Sequence, residues 1–391
     1  MRAAGVAVAV FAALQLQGVQ PALNPDTVRD LLEVRDCVER GLCGVPGVHT
    51  SFGLLHGVLW IQVLKLGWKS GFGIEGLSAL VRGLLAVSTA VVYLAARRVR
   101  VATPWACAGF FLVLLLPAIR YPMLVYASMP PLPVALVYAC VFRGVEGGCT
   151  RSWLAGAFFL GLAVDSHLTC ALLLPCYFAV LVASARVPAL AAAGAAAVIP
   201  AALWLDSPAA LALNARALAT TGGAWTLAAA LVVGVVGGAA ARDRMRRLGG
   251  PERIRTAVWL HVTVFIVLLG AGAVHTGHFL APRYLTPALP ALCFGAVLLV
   301  ERAAQHPFGR RLFGAGDLRQ SAAALAVVLA IALSWRWPGP EGWNVFNEHQ
   351  VGWRLVRDPE FAPITVSTPS PRGSGAAESS LRSRDIAARA C

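Results

Sequence analysis

Apolar residues in this chain fall into long, nearly unbroken runs separated by short polar and basic stretches. The runs cover roughly 4–20, 78–96, 104–119, 123–142, 152–164, 168–184, 188–205, 223–241, 257–275, 284–301 and 319–335. Most come close to the ~20 consecutive apolar residues with which a helix crosses a bilayer. The run at 152–164 is short, and its helix is expected to start inside the preceding loop. A further stretch, 52–68, carries His56, Gln62 and Lys65 and reads as an amphipathic helix on the outer surface, with Trp60 and Trp68 suited to an interface. Thr27 to about Arg40 reads as a second short helix closed by Gly41, with acidic residues favoured in its first turn.

Composition strengthens the membrane reading. Of the 391 residues 58% are hydrophobic and 13% charged, and the mean hydropathy is +0.69. Ordinary soluble domains are nearer ~25% charged. The net charge of +14 would suggest nucleic acid in a polar chain. Here the arginines sit in clusters between apolar runs, as in cytoplasmic loops, so no nucleic-acid partner is expected.

Placing the N-terminus in the cytoplasm, with 4–20 as an uncleaved first span, puts almost every basic cluster on one side. The expected fold is therefore all-α: a polytopic membrane protein of about 11 transmembrane helices. Its outer first loop, 21–77, carries amphipathic juxtamembrane helices. Residues 1–340 form the transmembrane domain, and 341–391 form an outward-facing C-terminal tail, disordered from about 359. The Arg, Ala and Gly usage and compact loops suit a bacterial inner (plasma) membrane.

This topology gathers polar groups on the outer side. Asp26, Asp30 and Asp36 lie in the first loop, with Arg120, Asp165, His167, His278, Arg283 and Tyr284 at later loops and helix ends. Asp165 and His167 read either as a tight polar turn or as a cavity wall. Arg283 opposes the inward bias of basic residues, which suits either a bound phosphate or snorkelling to headgroups. Cys37 and Cys43 share one polar loop and would pair in an oxidising compartment. No zinc spacing or phosphate loop occurs, and HExxH and GxSxG are absent.

The stretch from Asn24 to Arg100 resembles the polytopic membrane glycosyltransferases that take sugars from polyprenyl-phosphate carriers. The protein O-mannosyltransferase-like and aminoarabinose-transferase-like families share its order of elements. These are Asp26 at the loop start, the 52–68 helix, and Leu77-Ser-Ala-Leu-Val-Arg82 opening the next span. Trp153 to Gly161 looks like the family's middle span, and Pro282-Arg283-Tyr284 to Pro290 like its later Arg-Tyr segment. The loop start departs from the family in having Thr27 after Asp26, and His49 to Phe52 replaces the usual Pro-Pro.

The resemblance implies an inverting transfer from a polyprenyl-phosphate-linked sugar donor to a lipid, glycan or protein acceptor, in contact with membrane lipid. Asp26 would be the general base, with Asp30 and Asp36 as secondary acidic candidates. Arg283 would clamp the phosphate, with His278, Arg120, His167, Asp165 and Tyr284 nearby. No cofactor is firmly implied. A divalent metal is compatible with the chemistry, but no protein ligand set for one is evident. Two other classes stay open: a transporter or flippase for a lipid-linked substrate, and a non-catalytic membrane assembly protein.

Overall fold

The computed structural model describes residues 25–43, 57–96, 98, 129–184, 188–205, 208–220, 223–276 and 289–307. All regular structure among the described residues is helical. The α-helices are α1 (Pro25–Arg40), α2 (Leu59–Lys69), α3 (Gly73–Ala96), α4 (Pro131–Gly147), α5 (Thr150–Ser166), α6 (Leu173–Ser184), α7 (Ala189–Leu205), α8 (Pro208–Thr220), α9 (Gly223–Arg247), α10 (Gly250–Thr276) and α11 (Leu289–Gln305). A 3-10 turn, Leu168–Leu172, joins α5 to α6.

Two apolar clusters organise these helices. In the smaller one, Val28, Leu31 and Val34 of α1 meet Trp60, Ile61 and Leu64 of α2, and Ile74, Leu77, Val81 and Leu85 of α3 close it. The spacing along each helix returns to one face every three or four residues, so each contributes a single apolar stripe. Gly41 ends α1 with φ +71, the left-handed conformation a helix stop favours.

The larger cluster is built on α4, α5 and α6, with α10 and α11 packed beside them. Tyr138 and Phe142 of α4 and Trp153 of α5 are essentially sealed from solvent. So are Tyr177 of α6, Val258 of α10 and Phe294 of α11. Trp153 lies over Gly144, where a Cβ would come within 2.7 Å of the indole.

A close helix crossing joins α6 to α9. Gly234 and Gly238 sit over the Pro175 and Ala179 carbonyls, and a Cβ at either would fall 2.4 or 2.3 Å from the oxygen. Both pairs are spaced four residues apart, so two ridges of the same pitch interdigitate along one seam. Gly161 of α5 repeats the device, where a Cβ would meet the Ala196 carbonyl oxygen of α7 at 2.0 Å. On α9 the seam residues Gly234, Gly238 and Met245 are buried, while most of their neighbours are exposed.

The all-helical expectation holds, and the multi-pass membrane architecture does not. Among the described residues one helix, Gly73–Ala95, is long and apolar enough to cross a membrane. About eleven such helices were expected. The apolar runs do become helices, but α5, α7 and α11 have 17 residues each and α6 has 12. The longer α9 and α10 carry charged turns at Arg242–Arg247 and Glu252–Arg255. The apolar residues of α4, α5 and α6 turn largely toward one another, as in core helices. The assignment to a bacterial inner membrane as a multi-pass protein is corrected with it, as are the membrane-lipid contacts it implied. The runs at 4–20, 104–119 and 319–335 and the tail lie outside the described residues.

The interfacial helix expected at 52–68 is corrected too. Trp60 is fully buried in the smaller cluster, and the Trp68 indole donates to Glu39 Oε1 at 2.9 Å. Several arginines read as topology signals hold helices together instead. Arg98 pairs with Glu146 at 2.6 Å, and Arg255 reaches Glu252 and Glu301 at 2.9 Å each. Arg253 Nε donates to the Met245 carbonyl at 2.9 Å, near the end of α9.

Replacing Gly238 by Val should push α9 off α6 and lower stability by about 1–3 kcal/mol, the usual effect of overpacking. Gly237, with open space around its Cα, should accept Ala with little change. Urea titration of the two variants followed by circular dichroism checks the contrast. Equal midpoints would mean that the seam is not tight.

Candidate functional site: a buried acidic junction between two helical units

The smaller cluster meets the larger one at the start of α2. Val58 precedes that helix and makes no side-chain cap. The missing cap comes from far along the chain, since Leu59 N–H donates to Asp165 Oδ2 at 2.9 Å. Asp165 is 3% exposed and lies in the last turn of α5. A carboxylate at a helix C-terminus opposes that helix's dipole, whereas one at a helix N-terminus is favoured. The hydrogen bond to α2 decides the balance, because charge-assisted bonds to backbone N–H groups are the stronger kind. Gly57 makes the approach sterically feasible, since a Cβ there would fall 1.7 Å from the Asp165 carbonyl oxygen.

The neighbouring residue of α2 binds a second buried carboxylate. Trp60 Nε1 donates to Asp30 Oδ2 at 2.9 Å, and Asp30 Oδ1 accepts from Arg29 Nη2 at 2.9 Å and Nε at 3.2 Å. Asp30 is fully buried. Asp30, upstream of α2, and Asp165, downstream of it, therefore grip consecutive residues of that helix. One turn further along α1, burial and the charge of Asp30 raise the Glu33 carboxyl to about 7, while Arg29 and Lys65 pull it down.

His167 is fully buried just after α5. Its Nδ1 accepts from Thr169 N–H at 3.2 Å and contacts Thr169 Oγ1 at 2.6 Å, so it caps the 3-10 turn. Accepting a backbone N–H assigns the ring proton to Nε2. Ser166 Oγ donates back to the Ala163 carbonyl at 2.8 Å. Asp165 and His167 thus fix the exit of α5 and the entry of α2 and α6.

The other sequence candidates distribute unevenly. Asp36 lies on α1 and pairs with Arg35 at 3.3 Å and Arg40 at 3.5 Å. Cys37 and Cys43 are joined by a disulfide that staples the end of α1 to the following turn. The backbone of Asp26 belongs to the first turn of α1, four residues before Asp30, and its side chain is outside the described residues. Arg120, His278, Arg283 and Tyr284 also lie outside them. No group of three His, Cys, Asp or Glu among the described residues could hold a metal. Sequence reasoning missed the Trp60–Asp30 bond and the proton-binding Glu33. The i, i+3 spacing of Asp30 and Glu33 was the available signal for the second.

No protein-family model, no curated protein and no solved structure matches this chain. The kinship with polyprenyl-phosphate glycosyltransferases is corrected, since it required a multi-span body and one candidate span is found among the described residues. With it fall the inverting sugar transfer, the membrane-enzyme assignment, and the lipid-linked donor and its acceptor as partners. The transporter and membrane-assembly alternatives rested on the same multi-span body and are withdrawn for the same reason.

Two measurements test the junction. Asp165→Ala should cost about 1–3 kcal/mol, as when a buried donor loses its partner, and should raise amide exchange first at the start of α2. For Glu33 the folded state binds the proton more tightly than the unfolded chain. Its contribution is therefore present below about 4.5 and lost as pH rises toward and past about 7. Glu33→Gln should match the parent in urea midpoint at pH 4 and exceed it at pH 8. A constant difference across that window would contradict the raised carboxyl.

Proposed function

We propose that the protein is a docking scaffold whose α9 receives an apolar helix of a partner protein, flanked by acidic residues. The outward face of α9 supports this reading. Val232, Val233 and Val236 are 61–62% exposed and Val235 is 41% exposed, while Gly234 and Gly238 hold the inner face on α6. Valine is a poorer helix former than alanine or leucine because its χ1 is restricted. Four exposed valines within residues 232–236 thus give the isolated helix no advantage. Contiguous apolar surface of this kind marks an interaction face.

Charge narrows the partner. The valines run into exposed Arg242, Arg244, Arg246 and Arg247, against the single Asp243. A second copy of this chain would bring like charge, +14 per chain, to the same interface. An acidic flank on a foreign helix complements it and speeds encounter. The groove-and-anchor pattern of helix recognition then applies, with apolar side chains meeting the valines at i, i+3 and i+4.

A photo-crosslinking residue at Val233 or Val236 of the full chain, activated in the native cell, tests the reading. The expected adduct is a protein segment with an apolar helix and neighbouring Asp or Glu. Arg244→Glu combined with Arg247→Glu should lower adduct yield about tenfold or more, as for loss of a hot-spot contact. Adducts to lipid, or only to another copy of this chain, would overturn it.

A further inference from the structure

Four rings from three helices meet inside the larger cluster. Tyr138 and Phe142 come from α4, His261 from α10 and Phe294 from α11. Ring centroids lie 4.7 Å apart for Tyr138–His261, 4.9 Å for Tyr138–Phe294 and 4.9 Å for Phe142–Phe294. All four residues are 1% exposed. Tyr138 Oη and both ring nitrogens of His261 make no hydrogen bond within the protein. Buried polar atoms in native proteins are nearly always partnered, by protein or by ordered water. Here three such atoms sit on two adjacent rings contributed by separate helices.

The chemistry of the surroundings selects the partner. Burial drives the His261 imidazole down to about 3, so it is uncharged near neutral pH, and burial raises the Tyr138 phenol so that it keeps its proton. Cys176 of α6 also interacts with Tyr138, and its thiol is raised by burial and donates to the Leu172 carbonyl. The core cluster that holds Tyr138 is apolar, with Val134 and Val141 on the same helix, Val258, Val262 and Phe265 on that of His261, and Leu298 on that of Phe294. An ion would find no counter-charge in such a setting and would lose its hydration. A neutral imidazole offers one donor and one acceptor, and a phenol offers both.

We propose that Tyr138 and His261 form a buried binding site for a neutral hydroxylic molecule, an internal water, that bridges α4 to α10. The water accepts from one ring and donates to the other, which pairs Tyr138 Oη with one His261 nitrogen without charge and leaves the second nitrogen to a further solvent molecule. Small internal waters with two or more polar partners are integral parts of folded proteins and are costly to remove. The site would couple α4 to α10 beside the apolar contacts they already share.

A double-mutant cycle with Tyr138→Phe and His261→Leu, read as urea midpoints of the full chain, tests the bridge. Tyr138→Phe should lower the midpoint in the parent, and should leave it unchanged or raise it once His261→Leu is present. A crystal structure of the parent should show ordered solvent within hydrogen-bond distance of Tyr138 Oη and a His261 nitrogen. Additive shifts, with each apolar replacement stabilising, would overturn the site. A direct bond between Tyr138 Oη and the imidazole would overturn it as well, even if the cycle were coupled.

Discussion

An apolar helix face is unfavourable for as long as water touches it, and this fold is arranged by which faces are covered. In α4, α5 and α6 the covering is mutual, and large residues such as Trp153, Tyr177 and Phe142 are sealed against one another. Close approach makes that covering effective. Glycines at 161, 234 and 238 let one helix backbone rest on the carbonyls of the next, so dispersion contacts accumulate along each seam. The same helix can then be finished on one side and open on the other. α9 is the clearest case, with glycines inward and valines outward.

Apolar packing alone does not specify how the two clusters meet, because such contacts are nearly non-directional. The direction comes from two buried carboxylates. Asp165 takes the first N–H of α2 and Asp30 takes the indole of the next residue. Shifting α2 by one residue would rotate it by about 100°, detaching both bonds and turning Trp60 out of its cluster. Register is therefore held by polar groups, and stability by the apolar stripes on either side. Glu33 adds a pH-dependent term to the same junction without contacting either bond.

Much of the helical content was legible in the sequence, including the helix over Pro25–Arg40, ended at Gly41, and the helices underlying the runs at 78–96, 188–205 and 257–275. What was not legible is the environment of those helices. Run length and hydropathy measure how apolar a segment is, and a segment buried by protein and one buried by lipid share that property. The distinction depends on which residues face one another, as Tyr138, His261 and Phe294 do across α4, α10 and α11. At the site, Asp165 and His167 stood out as ionisable groups between apolar runs, and Asp30 only as an acidic group of the first loop. Their roles as caps and clamps required partners up to 106 residues distant. No local spacing encodes such a pairing.

Basic residues illustrate how the same sequence feature changes meaning once its partner is known. Arg255 was one of six arginines in an apparent cytoplasmic loop, yet it bridges Glu252 on its own helix and Glu301 on α11. Burial, and to a lesser extent Glu252, raises the Glu301 carboxyl above its usual range, and the Arg255 guanidinium offsets part of that rise. Arg253 does a different task one residue pair earlier, holding the final carbonyls of α9 where that helix turns into α10. Arg242, Arg244, Arg246 and Arg247 stand exposed on α9 itself. Their position, six to eleven residues beyond Val236, gives one helix a surface that is apolar along its length and cationic at its end. A partner that satisfied only the valines would leave the cationic end solvated. One that satisfied only the arginines would leave the apolar length in water. An acid-flanked apolar helix meets both requirements with a single element.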